Sequence, residues 1–180
     1  TAVAAFVVYT EAYDEDGTKA AQIRQIYDVV SAETGPFILG GDFNELPPNA
    51  TQLGDFPDER TQAVCGEDFE QPPYTPEVMA PFFSELNPSI TLAQYESDAE
   101  RYYTHTVLGP NEVNEAGEAG AWNRTLDYLF ADPTSTWVAG STDVLQAAGQ
   151  QVGDSDLTLS SDPRLLSNHA PVFGILEVAP

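Results

Sequence analysis

Lysine and basic charge are scarce in this sequence of 180 residues. Lys19 is the only lysine, and six basic residues stand against 29 acidic ones, which gives a net charge of −23. Such a surface repels nucleic acid and anionic membranes at low ionic strength, because the fields of many like charges add. We therefore expect no tight nonspecific binding to DNA at low salt. Since salt screens that field, the composition indicates a halophilic source, or alternatively an ordinary acidic secreted protein.

Cysteine and long apolar runs are also lacking. Cys65 is the single cysteine, which excludes an internal disulfide bond and a cluster of cysteine metal ligands. No apolar run has the length of a membrane span, and no basic, apolar signal pattern begins the sequence. The compartment stays open on these grounds, with a secreted or periplasmic location favoured.

The apolar residues that are present predict one folded domain, residues 1–180. Residues 2–10 form a nearly continuous apolar run, which is typical of a strand covered on both faces. A helix capped by Thr18 follows, with apolar positions at helical spacing, and it ends before Pro36. The run FILGG, residues 37–41, is the next strand, so the chain begins with a strand, helix and strand of an α/β fold.

The rest of the chain gives weaker patterns. Loop-forming residues dominate positions 46–76, and a short helix interrupted at Pro81 is predicted over residues 78–86. Further strands are predicted over residues 101–108, 125–131, 136–139 and 171–178.

Four polar residues stand out beside these strands. Asp42 and Asn44 follow the second strand, where they can form part of a site or simply an Asx-turn. Asp127 lies between Leu126 and a tyrosine in a strand pattern, so its carboxylate needs water or a partner. His169, just before the last strand, is a suitable partner, because a carboxylate on one ring nitrogen fixes the tautomer. The alternative for His169 is a capping role at a loop edge.

Taken together, three motifs resemble the endonuclease/exonuclease/phosphatase superfamily of DNase I-like proteins. They are GGDFN at residues 40–44, R-x-LDY-x-F at residues 124–130 and S-x-H-x-P at residues 167–171. The resemblance implies a four-layer αββα sandwich, here the C-terminal portion without its N-terminal part. It also implies metal-dependent cleavage of a phosphate ester, with DNA, RNA, inositol phosphates and sphingomyelin among the family's substrates.

The resemblance also implies roles for individual residues. Asp42 would orient or deprotonate the attacking water, and Asn44 would hold that nucleophile or a phosphate oxygen. His169 would donate a hydrogen bond to a non-bridging oxygen, with Asp127 behind it. These roles suit phosphoryl transfer, in which charge develops on the equatorial oxygens. The implied cofactor is a divalent metal, Mg²⁺ first, with Mn²⁺ or Ca²⁺ as alternatives.

The sequence departs from the family pattern at three places. Asn168 replaces the acid that usually precedes the histidine, and Glu11 stands where a neutral or cationic group is common; both are candidate metal ligands. The family's metal-binding glutamate has no counterpart, so we expect an upstream segment or a second chain to complete the fold and cover an exposed sheet. A catalytically inactive binding or structural module is therefore the alternative function.

Aromatic residues near the motifs have two interpretations. They are Tyr102, Tyr103, His105 and Trp122. They are suited to stacking on a base or a lipid head group, but ordinary packing is the interpretation that we favour.

Overall fold

The structure is a computed structural model and describes residues 2–12, 16–48, 50, 74–106, 108–113, 117, 119–151 and 158–178. Cys65 and most of the predicted loop region lie outside these residues. Within them, no helix combines the length and the apolar character needed to cross a membrane.

A four-stranded mixed sheet organises the protein. Its strands are β1 (Ala4–Tyr9), β2 (Phe37–Asp42), β3 (Asn87–Pro88) and β4 (Asp127–Ala131), in the order β1-β2-β4-β3. β1 and β2 are parallel, whereas β4 is antiparallel to both of its neighbours. The parallel pair follows from the helical crossover between its strands, α1 (Thr18–Ser31).

The N-cap of helix α1 lies one residue before the predicted cap. Gly17 is the N-cap residue, with φ 83°, and Thr18 is the first helical residue. The prediction that the Thr18 side chain caps the helix is wrong, because Gly17 adopts the left-handed conformation that a residue without Cβ tolerates. The Thr18 backbone amide instead donates to Asp16 Oδ1 at 3.0 Å. The apolar positions of α1 face the sheet as predicted, with Ile23 and Val30 fully buried.

Aromatic rings fill the core between the sheet and its helices. The ring of Phe43 meets those of Phe82, Tyr128 and Phe130 edge to face, at centroid distances of 5.4, 5.6 and 5.9 Å. Phe82 belongs to α2 (Ala80–Glu85), which follows a 3₁₀ turn at Pro76–Met79. The predicted short helix is thus present. Pro81 lies in its first turn, where the missing amide proton costs no hydrogen bond.

The remaining described elements are short. Helix α3 (Leu92–Ser97) and a 3₁₀ turn at Glu100–Tyr102 were not predicted from the sequence. The strand predicted over residues 101–108 is wrong, since among the described residues of this range only His105 forms isolated bridges. Two antiparallel ladders complete the described strands: β5 (Thr136–Trp137) with β8 (Leu176–Glu177), and β6 (Asp143–Val144) with β7 (Val172–Phe173).

The architecture confirms the α/β class, with one helix layer against one mixed sheet, and corrects one detail. The apolar run of β1 predicted a strand covered on both faces, but burial alternates along it. Val7 and Tyr9 are 88% and 78% exposed, whereas Phe6 and Val8 pack against the core. One face of β1 is therefore apolar and open in this chain.

Candidate active site

Two carboxylates meet where β2 ends and β4 begins. Asp42 is the last residue of β2, Asp127 is the first residue of β4, and the antiparallel register pairs them directly. Directly paired residues project their side chains to the same face of a sheet, with Cβ atoms about 4.5–5.5 Å apart. The register alone therefore brings two acids from distant motifs together.

A steric constraint explains why glycine directly precedes Asp42. Gly41 has φ 142°, and a Cβ at this position would lie 2.0 Å from the backbone oxygen of Val8 in β1. Only glycine allows the two parallel strands to approach so closely. The close approach fixes the end of β2, and with it the position of Asp42.

His169 lies between the two carboxylates. Its Nδ1 is 2.8 Å from Asp127 Oδ2, and its Nε2 is 3.8 Å from Asp42 Oδ2. The histidine backbone amide donates to Ser167 Oγ at 3.0 Å, which holds the segment just before β7. The structure thus brings together the Asp127–His169 pair expected from the sequence and points the other ring nitrogen toward Asp42. The catalytic roles of these residues stay predictions.

The protonation states of this group follow from its surroundings. Burial raises the pKa of Asp42 to about 6, and the charge of Asp127 adds to that effect. For His169, burial lowers the pKa, but the hydrogen bond and charge of Asp127 and the charge of Asp42 outweigh burial and raise the pKa overall. The raised pKa shifts the imidazole toward its protonated form, in which both ring nitrogens are donors.

Asn44 forms the Asx-turn that the sequence allowed. Its backbone amide donates to Asp42 Oδ1 at 2.7 Å, which is the Asx-turn, and its φ is 47°. Its side-chain Nδ2 donates to the backbone oxygen of Thr10 at 2.9 Å, and the residue is 8% exposed. The Asx-turn orients the Asp42 carboxylate, and the expected role of Asn44 in holding the nucleophile stays a prediction.

A buried ion pair supports this turn and was missed by sequence reasoning. Lys19 Nζ donates to the backbone oxygen of Asn44 at 2.8 Å and lies 3.4 Å from Glu45 Oε2, and both charged side chains are completely buried. Lys19 stands four residues before Ile23 on α1. That spacing places the only lysine on the buried face of the helix, which was the available signal.

The two candidate metal ligands are both exposed and make other contacts. Asn168 is exposed, and its Nδ2 is 3.2 Å from His105 Nε2. Glu11 is exposed, and its backbone amide donates to Gln22 Oε1 at 2.8 Å. The Glu11 carboxylate does not join the ligand group that Asp42, Asp127 and His169 form among the described residues.

The aromatic residues near the site act as packing groups. The His105 ring meets the His169 ring edge to face at 4.8 Å. Burial, together with the charge of His169, lowers the pKa of His105 to about 3, so this ring is neutral. Tyr102 is buried, and Trp122 Nε1 donates to the backbone oxygen of Gln146 at 2.9 Å.

The donor set fits a divalent cation. Asp42, Asp127 and His169 each offer one ligand atom, and these atoms lie within 4.8 Å of one another. His169 Nδ1 is already hydrogen-bonded to Asp127 Oδ2, and its Nε2 lies 3.8 Å from Asp42 Oδ2. Mg²⁺ is commonly bound by one or two carboxylates, with water and phosphate oxygens as its other ligands.

Comparisons with known proteins give structural neighbours only. No protein-family model matches the sequence, and no curated protein matches it. An endonuclease/exonuclease/phosphatase family protein from Bacteroides thetaiotaomicron is 17% identical, with a TM-score of 0.49 over 96% of this chain and 49% of that one. The mannosyl-6-phosphatase of B. thetaiotaomicron VPI-5482 is 16% identical, with a TM-score of 0.42 over 96% of this chain and 50% of that one. The human Nocturnin catalytic domain, solved with a sulfate anion, is 16% identical, with a TM-score of 0.42 over 98% of this chain and 47% of that one. The chain is thus similar in structure to proteins of the endonuclease/exonuclease/phosphatase family, and it spans about half of their length.

Proposed function

We propose that this chain supplies the acid–base half of a metal-dependent phosphoesterase site. The observation that carries the proposal is the position of His169, with Nδ1 2.8 Å from Asp127 and Nε2 3.8 Å from Asp42. In this arrangement the imidazole is a hydrogen-bond donor, and the carboxylate of Asp42 that it faces is a base. Phosphoryl transfer needs both functions close to the reacting phosphorus.

Each residue has a distinct part in the proposed reaction. His169 donates a hydrogen bond from Nε2 to a non-bridging phosphate oxygen, while Asp127 fixes the orientation of the ring. Asp42 accepts the proton of the attacking water, and its pKa of about 6 suits a base that works near neutral pH. Asn44 holds the turn that aims the Asp42 carboxylate.

The proposed cofactor is a divalent cation, with Mg²⁺ as the first choice. We propose that the cation lies beside Asp42, Asp127 and His169, with Asp42 left free to act as the base. When bound, the cation supplies Lewis-acid stabilisation of the charge on the phosphate. Since the family's metal-binding glutamate has no counterpart in this sequence, we propose that an upstream segment or a second chain provides further ligands.

The charge of the chain narrows the proposed substrates. With a net charge of −23, the surface opposes tight binding of a duplex, which relies on lysine and arginine to neutralise phosphates. A small phosphate ester carries few charges and is repelled less. We therefore favour a small ester as the substrate, and activity that persists in concentrated KCl.

Asn168 favours a second candidate function. Its neutral amide replaces the usual acid and contacts His105, whereas a divalent cation is held by negative charge. A fold that has lost one metal ligand can persist as a binding or structural module.

Hydrolysis assays separate the two candidates. Bis-p-nitrophenyl phosphate, p-nitrophenyl phosphate, DNA and a phosphoinositide are incubated with the chain and Mg²⁺, Mn²⁺ or Ca²⁺ across a range of KCl concentrations. We expect metal-dependent turnover that His169→Ala abolishes and Asn168→Asp increases. Asp143→Asn is the matched control, because Asp143 is a carboxylate that pairs with the exposed Arg101.

The same assays define the results that would contradict the proposal. Absence of turnover in every variant, and also in the protein extended by its upstream segment, would exclude the enzyme and favour the inactive module. Turnover that His169→Ala leaves unchanged would place the chemistry elsewhere.

A further inference from the structure

We infer that Thr104 is a positioning residue that sets Asp127 against His169, an inference that rests on the proposed function of this pair. Thr104 is completely buried and touches both segments that carry the pair. It has no role in the family resemblance and no charge, so no sequence pattern points to it.

The Thr104 hydroxyl takes the place of a missing strand beside β4. Its Oγ1 accepts hydrogen bonds from the backbone amides of Leu126 at 2.9 Å and Asp127 at 3.0 Å. On this side of β4, strand β3 pairs only with Phe130 and Ala131. The first residues of β4 therefore lack a strand neighbour there, and one side-chain oxygen satisfies two buried amides that would otherwise be unpaired.

The Thr104 backbone connects the same point to the His169 segment. Its oxygen accepts from the amide of Ala170 at 2.7 Å, and its amide donates to the oxygen of Arg124 at 2.8 Å. The residue thus holds the start of β4 through its side chain and the residue after His169 through its backbone. Thr104 therefore links the segments of Asp127 and His169, whose side chains lie 2.8 Å apart, and fixes their separation.

The side-chain contact is the part that a substitution can remove selectively. Thr104→Val keeps the shape and the backbone bonds but deletes the acceptor of the Leu126 and Asp127 amides. The start of β4 then loses its anchor, and the Asp127 carboxylate moves relative to the imidazole. Partners behind a site histidine typically contribute about 10–100-fold to activity.

Thr106 provides a matched control two residues away. It is also a completely buried threonine, but its Oγ1 donates to the backbone oxygen of Leu108 at 2.9 Å, away from Asp127. Thr106→Val therefore removes a buried hydroxyl of the same kind without touching β4. Thr104→Ser is the conservative variant, because it retains an oxygen at the same position.

The experiment compares Thr104→Val, Thr104→Ser and Thr106→Val with the unmodified chain. The first readout is the downfield proton NMR signal of His169 Nδ1, recorded at one fixed pH with labelled histidine. The second is the rate of p-nitrophenyl ester hydrolysis with Mg²⁺. We expect Thr104→Val to shift or broaden the Nδ1 signal and to lower kcat by about 10–100-fold with little change in KM, while the other two variants leave both readouts near their original values.

Several outcomes would overturn the inference. An unchanged Nδ1 signal in Thr104→Val, or an equal change in Thr106→Val, would mean that the Thr104 hydroxyl does not position the pair. If Thr104→Val does not fold, Thr104→Cys replaces the oxygen with a weak acceptor, and an Nδ1 signal identical to the original would count against the inference. If neither the unmodified chain nor the protein extended by its upstream segment hydrolyses an ester, the proposed function fails, and the NMR comparison still decides the role of Thr104.

Discussion

Replacing Asp42 with asparagine is expected to stabilise the folded protein at pH 8 and to leave its stability at pH 4 nearly unchanged. Asp42 is 8% exposed, and its carboxylate lies beside that of Asp127. Burial and the neighbouring charge raise the pKa of Asp42 from 3.8 to about 6. The folded chain therefore binds the Asp42 proton more tightly than the unfolded chain does, and ionisation opposes folding.

The size and direction of the effect follow from this pKa difference. Each pKa unit corresponds to about 1.4 kcal/mol, so a difference of about two units lowers the free energy of unfolding by about 3 kcal/mol once Asp42 is ionised. Below pH 3.8 the carboxyl is neutral in both states, and no cost exists. The cost grows as the pH rises from 3.8 to about 6 and is complete above that value. Asparagine avoids this cost and still accepts the hydrogen bond from the Asn44 amide through Oδ1.

The measurement is chemical unfolding followed by the fluorescence of Trp122 and Trp137, at pH values between 4 and 8. A constant high concentration of KCl keeps the repulsion among the other acidic residues comparable. We expect Asp42→Asn to raise the free energy of unfolding by up to about 3 kcal/mol at pH 8 and by little at pH 4.

Asp132, at the opposite end of β4, is the control with the opposite sign. Burial raises the pKa of Asp132, but hydrogen bonds from Ser135 and Thr134 outweigh burial and lower it overall. Its ionised form therefore stabilises the fold above pH 3.8, so Asp132→Asn should lower stability at pH 8. A stability difference for Asp42→Asn that is the same at pH 4 and pH 8, or a loss of stability at pH 8, would refute the reasoning.

Three further predictions concern the support and the chemistry of the site. Lys19→Met is expected to lower the free energy of unfolding by about 3–5 kcal/mol, because it leaves Glu45 as a buried charge without its cation. Adding Glu45→Gln should recover part of this loss, and urea unfolding of the single and double variants measures both effects. Hydrolysis should increase as the pH rises through about 6, where Asp42 ionises and becomes a base, and a rate that is flat from pH 5 to pH 8 would contradict this role. Removing divalent cations with EDTA should stop hydrolysis and added Mg²⁺ should restore it, whereas activity that survives chelation would exclude the metal.

Local patterns predicted the elements that bury one continuous apolar face. Helix α1 and strands β1, β2 and β4 each contain enough periodic apolar residues for the pattern to dominate. Helix α3 carried a usable signal that was overlooked. Thr91 and Gln94 form a reciprocal capping box, and the spacing T-x-x-Q is visible in the sequence.

The wrong strand prediction has a tertiary cause. Residues 101–108 are rich in aromatic and β-branched side chains, which favour strands. The ring of Tyr102 instead packs edge to face against Tyr95 of α3 at 5.6 Å, and the chain turns through a 3₁₀ helix to reach it. Packing against an adjacent helix outweighs the local preference at this point.

The candidate site was predictable only in part, for a similar reason. The residues with distinctive chemistry, such as Asp127 and His169, belong to motifs that a sequence shows directly. The residues that hold them, Lys19 and Thr104, act through hydrogen bonds to backbone atoms of distant segments. A local pattern can place such a residue on a buried face, but it does not show which distant backbone atoms the side chain will contact.

Two features that oppose folding lie beside His169 and support the proposed enzyme over the proposed inactive module. Asp42 carries a raised pKa, and the buried Nδ1 of His105 has no hydrogen-bond partner among the described residues. Asp42 Oδ2 lies 3.8 Å from His169 Nε2, and the His105 ring meets the His169 ring at 4.8 Å. A module that only needed its fold would gain stability by losing both features. Their position beside one histidine is what the proposed phosphoesterase site would require.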